Sequence, residues 1–150
     1  MNTAKDSRMM IVNPVTNGIV LDHIQAGLSD QLYTALHLDK LDCPIAILKN
    51  VESGKMGRKD IIKIFSSIDL DFDVIGYMDP GITVSIIKDG SVIDRRGLKL
   101  PETITNVIRC RNPRCITSVE QELPQIFKLA NREKGLYRCF YCEQKASKKQ

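Results

Sequence analysis

Four cysteines in the last third of the chain constrain its folding more than any other feature. They form two close pairs, Cys110 with Cys115 and Cys139 with Cys142, and a gap of 23 residues separates the pairs. Two tight turns that each carry a pair of thiolates can bring four sulfurs into the tetrahedral arrangement that Zn²⁺ prefers. Because the protein would fill all four positions, none is left for water or a substrate. The spacing therefore predicts one structural zinc ion rather than a catalytic one.

Other interpretations of the cysteines are open at this point. The four thiols could be free and buried, or they could hold iron in a site of the rubredoxin type, as in a redox protein. Iron sites of that type usually use two pairs with a spacing of two residues, and only Cys139 and Cys142 have that spacing. A module of about 50 residues is close to the limit of what apolar burial alone can fold, which favours a stabilising metal. The fifth cysteine, Cys43, lies in an apolar stretch and is expected to be a core residue.

The position of the cysteine pairs coincides with a change in charge. Residues 101–150 contain ten Lys and Arg against five Asp and Glu, whereas residues 1–100 contain twelve against thirteen. We place a domain boundary at Leu100–Pro101, between a domain of residues 1–100 and a module of residues 101–150. No apolar stretch approaches the roughly 20 residues that span a bilayer, and no signal peptide is visible. We therefore expect a cytoplasmic protein with no membrane partner and with reduced thiols.

The residue pattern predicts the α+β class. Six stretches rich in β-branched residues predict strands in the first domain: Met9–Val12, Gly18–Ile24, Pro44–Leu48, Lys59–Phe65, Ile82–Ile87 and Ser91–Asp94. Helices are expected over Ser29–Leu38 and Ser67–Met78. This order predicts an antiparallel sheet with two helices on one face. Shorter strands at Thr103–Arg109, Gln125–Leu129 and Gly135–Cys139 predict a small all-β metal-binding domain after Pro101.

Two groups of polar residues in the first domain are candidate ligand contacts. Lys59, Ile61 and Lys63 share one face of a strand, and two ammonium groups on that face can hold a polyphosphate. A solvated strand face is the alternative. Asp22 and His23 end a strand and suit a ribose or a base edge, or they form a hydrogen-bonded pair without a ligand. No nucleophile–base pair, paired carboxylate motif or glycine-rich phosphate loop is present, so the chain is not predicted to be an enzyme.

The positive charge of residues 101–150 could also indicate a zinc ribbon that binds nucleic acid. Four thiolates with one zinc ion lower the formal charge by about two, which weakens that argument. Phe140 and Tyr141 lie inside the second cysteine pair and are expected to pack against the cluster rather than stack on bases. We therefore predict no nucleic-acid partner.

Taken together, these segments resemble the regulatory chains of aspartate carbamoyltransferase. The resemblance rests on stretches in a fixed order: residues 18–24 (GIVLDHI), residues 53–64 (SGKMGRKDIIKI), Pro80 with Thr83-Val84, Leu100-Pro101-Glu102 before Asn106-Val107, and the four cysteines followed by Glu143. It implies an N-terminal allosteric domain that binds nucleoside triphosphates and a C-terminal zinc domain that docks on the catalytic chain. It also implies that regulatory chains pair as homodimers and that the chain itself catalyses nothing.

The resemblance further implies which residues contact the effectors. CTP and ATP would compete for one pocket, and UTP is a further candidate effector. Asp22 and Lys63 would lie near the ribose and base with Lys59 beside them, and Arg95 would face the triphosphate. The remaining pocket residues would be Val12, Val20, His23, Ile61, Ile87 and Val92. Asn112 and Glu143 would face the catalytic chain.

Five positions depart from the family pattern: Pro14, Ser85, Gly90, Arg95 and Arg114. The first four concern the effector pocket, and Arg114 lies in the turn between Cys110 and Cys115, which the resemblance implies docks on the catalytic chain. They leave open which nucleotide activates, which inhibits, and how strongly.

Overall fold

A computed structural model of the 150-residue chain describes residues 14–147. The elements that it describes are, in chain order, β1 (Gly18–Gln25), α1 (Ser29–Ala35), a 3₁₀ turn (Leu38–Lys40), β2 (Ile45–Ser53), β3 (Gly57–Ile64), α2 (Phe72–Met78), β4 (Thr83–Lys88), β5 (Ser91–Gly97), β6 (Thr103–Thr105), α3 (Ile116–Val119), β7 (Ile126–Asn131) and β8 (Leu136–Cys139). The α+β class is confirmed, with an antiparallel sheet, few helices and a small C-terminal β region that carries the four cysteines. The predicted strand Met9–Val12 lies outside the described residues.

Within the described residues, five strands form the N-terminal sheet in the order β2-β3-β1-β4-β5. β1 pairs antiparallel with both β3 and β4, so that Leu21 lies opposite Ile62 on one side and Val84 on the other. These three side chains are fully buried. Successive residues of a strand point to opposite faces of a sheet. The residues that alternate with these three along β1, β3 and β4 therefore form the second face of the sheet.

Two irregularities interrupt this sheet, and one carboxylate lies between them. The register shifts in β1 between Leu21 and Ile24, and in β2 between Leu48 and Val51. Both bulges contain a non-glycine residue with positive φ, His23 at 60° and Asn50 at 60°. The fully buried Asp60 of β3 accepts a hydrogen bond from the Asn50 backbone N–H at 2.8 Å. It also accepts hydrogen bonds from the Gly27 N–H and the Ser29 hydroxyl, which follow β1 in the chain.

The second sheet consists of β6, β7 and β8, all antiparallel. Its core contains Ile104, Ile108, Phe127 and Tyr137 together with Cys115 and Cys139. The Tyr137 hydroxyl donates to the Pro101 carbonyl at 2.6 Å, and its ring meets that of Tyr77 edge-on at 5.0 Å. Two cysteines of the predicted metal site are therefore part of this small core.

Among the local predictions that differ from the structure are the end of one strand, the start of one helix and the burial of Cys43. The strand predicted over Thr103–Arg109 ends at Thr105, because Asn106 adopts a φ of 60°. The helix predicted from Ser67 begins at Phe72, because the Asp71 side chain accepts from the backbone N–H groups of Asp73 and Val74 and caps the helix there. Cys43 precedes β2 and is only half-buried, so its prediction as a core residue is wrong. The short helix α3 was not predicted.

The chain divides into two compact units that combine separate stretches of sequence. One contains the strands of the N-terminal sheet, in the residues up to Ser29, in Leu41–Asp69 and in Thr83–Arg96. The other contains Asp30–Lys40, Leu70–Ile82 and the residues from Gly97 onward. The predicted boundary at Leu100–Pro101 stays a prediction. Among the described residues, no helix is long and apolar enough to cross a membrane.

Candidate metal centre and effector face

The first cysteine pair sits on a turn that precedes α3. The Cys115 backbone N–H donates to the Asn112 carbonyl at 3.0 Å, and the Arg114 N–H donates to the Asn112 side-chain oxygen at 3.0 Å. An Asn side chain that bonds the backbone two residues onward is a common turn device. It brings Cys110 and Cys115 back toward each other across Arg111–Arg114. Cys115 is the N-cap residue of α3, directly before its first residue, Ile116.

The second pair sits on a turn at the end of β8. The Glu143 N–H donates to the Cys139 carbonyl at 2.9 Å, and the Cys139 N–H donates to the Gln144 carbonyl at 2.9 Å. Glu143 has a φ of 65°, which closes the turn. The two bonds hold Cys139 and Cys142 on one tight loop, as the spacing predicted.

The four sulfurs converge on one point. The Sγ atoms of Cys110, Cys115, Cys139 and Cys142 all lie within 4.8 Å of one another. The Cys110–Cys142 and Cys115–Cys139 pairs, which each join the two turns, are 3.5 Å and 3.8 Å apart. Tetrahedral ligation with Zn–S bonds of about 2.3 Å places sulfurs about 3.8 Å apart, whereas a disulfide needs about 2.05 Å. The donor set therefore fits a tetrahedral thiolate-bound metal and not a pair of disulfides.

The thiols differ in how readily they ionise. Burial raises the pKa of Cys110 to about 12, with added contributions from the neighbouring Cys142 and Cys139 thiols. Burial also raises the pKa of Cys139. At Cys142 burial acts in the same direction, but hydrogen bonds from the Asn112 side chain, the Gln144 backbone and the adjacent thiols outweigh it and lower the pKa to about 7. Four thiolates this close together need a cation between them to share their charge.

Two buried side chains that the sequence did not single out support the ligands. The Gln125 side-chain oxygen accepts from the Cys110 backbone N–H at 2.9 Å, and Asn106 holds Gln125 in turn through two bonds to its backbone. The Thr117 hydroxyl donates to Cys115 Sγ at 3.2 Å. Their spacing from the cysteines carries no recognised motif, so only the folded chain reveals them.

Several predicted effector contacts lie on the second face of the N-terminal sheet, away from Leu21 and Ile62. Val20 pairs with Lys63 on one side and with Ser85 on the other. Arg95 of β5 donates from Nε to the Ser85 hydroxyl at 3.3 Å. Lys63, Val20, Ser85 and Arg95 thus form a row across four adjacent strands, which we call the effector row.

Asp22, His23 and Lys59 meet at one end of this face. The Lys59 ammonium lies 2.9 Å from Asp22 Oδ1, and both side chains are partly buried. The His23 backbone N–H donates to the same carboxylate at 2.6 Å, and His23 Nδ1 lies 3.2 Å from the Thr83 hydroxyl. Although burial opposes ionisation, the Lys59 ammonium and the His23 N–H lower the pKa of Asp22. A negative and a positive group therefore stand side by side at this point.

The other predicted pocket residues are placed less uniformly. Ile61 lies between Lys59 and Lys63 on β3, and Ile87 pairs with Gly18 on the same face. Val92 lies on β5 and is 49% exposed. Val12 lies outside the described residues. Gly90 forms the β4–β5 turn together with Asp89.

The residues predicted to face the catalytic chain lie on the two cysteine turns. Asn112 is half-buried and its side chain already bonds Cys142 and the Arg114 N–H. Glu143 is exposed, and its carbonyl accepts from the Arg138 guanidinium at 2.9 Å. Arg114 is exposed. A contact with a partner chain stays a prediction for these residues.

Comparison with known protein families matches both parts of the chain. Residues 10–99 match the allosteric domain of the aspartate carbamoyltransferase regulatory chain. Residues 102–150 match the metal-binding domain of the same regulatory chain. The metal-binding match contains all four converging cysteines.

Individual relatives give the same result. The regulatory chain of Clostridium acetobutylicum aspartate carbamoyltransferase is 47% identical over 136 residues, which cover 91% of this chain and 93% of the relative. The regulatory chain of Clostridium botulinum (strain Hall) is 46% identical over the same shares, and that of Bifidobacterium longum is 39% identical over 91% of this chain and 99% of its own. Each of these relatives is a regulatory chain, which is a non-catalytic subunit. The prediction that this chain is a regulatory subunit and not an enzyme is therefore confirmed. The chain belongs to the family of aspartate carbamoyltransferase regulatory chains.

Proposed function

We propose that this chain is the non-catalytic allosteric subunit of an aspartate carbamoyltransferase in the cytoplasm and transmits the effect of nucleotide binding to the catalytic chains in pyrimidine biosynthesis. CTP and ATP, with UTP as a further effector, bind the second face of the N-terminal sheet, which is the face that carries the effector row. The C-terminal module holds one Zn²⁺ through Cys110, Cys115, Cys139 and Cys142 and docks on the catalytic chain. Regulatory chains pair as homodimers.

The effector row is the observation that carries the nucleotide proposal. Strands lie about 4.8 Å apart, so the three spacings from Lys63 on β3 to Arg95 on β5 extend about 14 Å. An elongated ligand with a base at one end and a polyphosphate at the other suits a row of this kind. Near Lys63, the Asp22 carboxylate can accept from ribose hydroxyls or a base amino group. At the opposite end, the Arg95 guanidinium can pair with phosphate oxygens.

The identity of the metal rests on the donor set. Thiolates are soft ligands that select zinc or iron among the common metals of a tetrahedral site. The metal-binding family match and the complete set of four protein ligands favour a closed structural site. Purified chain that contains stoichiometric zinc and shows no visible colour supports the proposal, whereas a red iron-containing chain contradicts it.

Calorimetric titration of the zinc-loaded chain tests the effector site. We expect CTP and ATP each to bind saturably and each to abolish the heat signal of the other, because they share one face. Coupling between effector and active sites typically reaches about 1–3 kcal/mol. An assay with the catalytic chain then gives the sign of each effect. Absence of binding by both nucleotides would contradict the proposed pocket.

Substitution of Lys63 locates the pocket. Loss of a charged hydrogen bond costs about 1.5–3 kcal/mol, so we expect Lys63→Ala to weaken CTP binding about 10- to 100-fold. Lys88→Ala is the matched control, because Lys88 is exposed and follows Ile87 on the opposite face of β4. Equal CTP affinities of the two variants would place the pocket elsewhere.

A further inference from the structure

Thr117 is a buried residue two positions after Cys115, one of the four candidate metal ligands. Its side chain is 1% exposed, and its Oγ1 lies 3.2 Å from Cys115 Sγ. A Ser or Thr hydroxyl in a helix ordinarily donates to a backbone carbonyl three or four residues earlier. Ser118, the next residue, does so and donates to the Cys115 carbonyl at 2.7 Å. The Thr117 hydroxyl instead contacts the sulfur.

The local chain explains why Cys115 needs this contact. Cys115 is the residue before α3, and it makes no side-chain hydrogen bond to the helix backbone. Its sulfur lies 3.8 Å from Cys139 Sγ, inside the small core of the C-terminal sheet. Cys110 and Cys142 are only half-buried by comparison. Cys115 is therefore a ligand that solvent cannot help to stabilise as a thiolate.

A buried hydroxyl and a buried thiolate satisfy each other. A neutral thiol is a weak hydrogen-bond acceptor, whereas a buried hydroxyl requires a partner. Among the described residues, no buried side-chain nitrogen or oxygen lacks a hydrogen-bond partner. Four thiolates around one divalent cation carry an excess charge of about −2, and a donor to sulfur spreads part of it. Donors in this outer layer of a metal site typically change metal affinity about 10- to 100-fold.

We propose that Thr117 is a positioning residue of the metal centre, whose hydroxyl donates to the Cys115 thiolate and thereby slows the loss of the metal. The proposal rests on the metal site proposed above. It assigns the function to the hydroxyl and not to the methyl group, since the hydroxyl is the group that donates to the sulfur.

Two variants of the full chain separate the hydroxyl from the methyl group. Thr117→Val keeps the shape and removes the donor, whereas Thr117→Ser keeps the donor and removes the methyl group. We expect T117V to release zinc to a chromogenic chelator about 10-fold faster than the unsubstituted chain. In the cobalt-substituted chain, we expect its thiolate-to-cobalt absorption band to move to longer wavelength, because the sulfur loses a stabilising donor. T117S should match the unsubstituted chain in both measurements.

Each outcome decides the proposal. Unchanged zinc release and an unshifted cobalt band in T117V would overturn it. Faster release from T117S than from T117V would also overturn it, because the role would then be packing of the methyl group. If T117V takes up no metal, an unshifted band and unchanged release in T117S support the proposal, whereas a shifted band contradicts it. An unsubstituted chain that binds neither zinc nor cobalt would instead contradict the proposed metal site.

Discussion

The buried carboxylate of Asp60 on β3 joins the loop after β1 to the bulge of β2. It accepts from the Gly27 N–H at 3.0 Å, and from the Ser29 hydroxyl and N–H at 2.6 Å and 3.3 Å. On the other side it accepts from the Asn50 N–H in the bulge of β2. Burial opposes ionisation of this group, but the bonds from Ser29, Asn50 and Gly27 outweigh it and lower the pKa of Asp60. The carboxylate therefore stabilises both the loop after β1 and the bulge of β2 while it is charged.

This arrangement predicts a dependence of stability on pH. Because the folded-state pKa of Asp60 lies below the ordinary value of 3.8, its contribution is present at neutral pH and is lost as the pH falls below that value. We expect Asp60→Asn to lower the free energy of unfolding by about 1–3 kcal/mol at pH 7. The difference from the unsubstituted chain should shrink as the pH falls below 3.8. Urea unfolding followed by circular dichroism at matched pH values measures it.

Asp94→Asn is the control for this prediction. Asp94 is partly exposed and pairs with Arg96 at 2.6 Å on the surface of β5. Exposed ion pairs contribute about 0–1 kcal/mol, so its loss should be small at every pH. An equal loss of stability in the two variants would contradict the role assigned to Asp60.

At the scale of the elements, the β4–β5 hairpin illustrates how a short sequence specifies a turn. Asp89 has a φ of 52° and Gly90 a φ of 81°, and positive φ at two successive residues matches the twist of paired strands. An Asp-Gly dipeptide between two strands is a strong hairpin signal, and Asp89-Gly90 lies between the predicted strands Ile82–Ile87 and Ser91–Asp94. Glycine occupies the second position because an L side chain there is strained.

Replacement of Gly90 tests that explanation. A Cβ at Gly90 would meet no atom within 4 Å, so only the backbone conformation opposes a side chain. We expect Gly90→Ala to lower the free energy of unfolding by about 1 kcal/mol. Gly54→Ala is the control, since Gly54 is equally open but lacks a positive φ. Thermal unfolding should show a lower midpoint for G90A and no decrease for G54A, and equal midpoints would contradict the backbone argument.

Other elements show where sequence patterns end. The sequence pattern predicts a strand through Arg109, but β6 ends at Thr105. At the next residue, the Asn106 N–H donates to the Gln125 carbonyl and the Asn106 side-chain oxygen accepts from the Gln125 N–H. Asn106 and Gln125 are 19 positions apart, and no local sequence pattern predicts their contact. The start of α2 is decided locally instead, because the Asp71 side chain caps the helix that begins at Phe72, a feature that the apolar pattern alone did not reveal.

At the scale of the whole molecule, the metal site and the C-terminal core cannot be separated. Cys115 and Cys139 belong to the core that Phe127 and Tyr137 build. Structural zinc contributes on the order of 10 kcal/mol to the folding of small modules. Loss of the metal should therefore unfold this module and, with it, the surface proposed to dock on the catalytic chain.

Substitution of one ligand tests this dependence. We expect Cys139→Ser to prevent assembly with the catalytic chain, while CTP still binds to the chain. Cys43→Ser is the matched control, because Cys43 lies outside the cysteine cluster and should leave assembly intact. Size-exclusion chromatography measures assembly, and calorimetry measures CTP binding. A stable complex formed by C139S would contradict the docking role.

The sequence by itself determined the α+β class, the four cysteines of the candidate metal site, the β4–β5 hairpin and the family. Those features depend on residues close together in the chain or on spacings that chemistry restricts, as in the cysteine pairs. The tertiary structure alone decided which polar groups the sites contain beyond these. Asp60 with Ser29, Gln125 with Cys110, and the row from Lys63 to Arg95 each join residues distant in sequence. Strand register and burial decide which polar groups become neighbours. A buried polar group needs a hydrogen-bond partner, and that partner is the polar group that the folded chain places next to it.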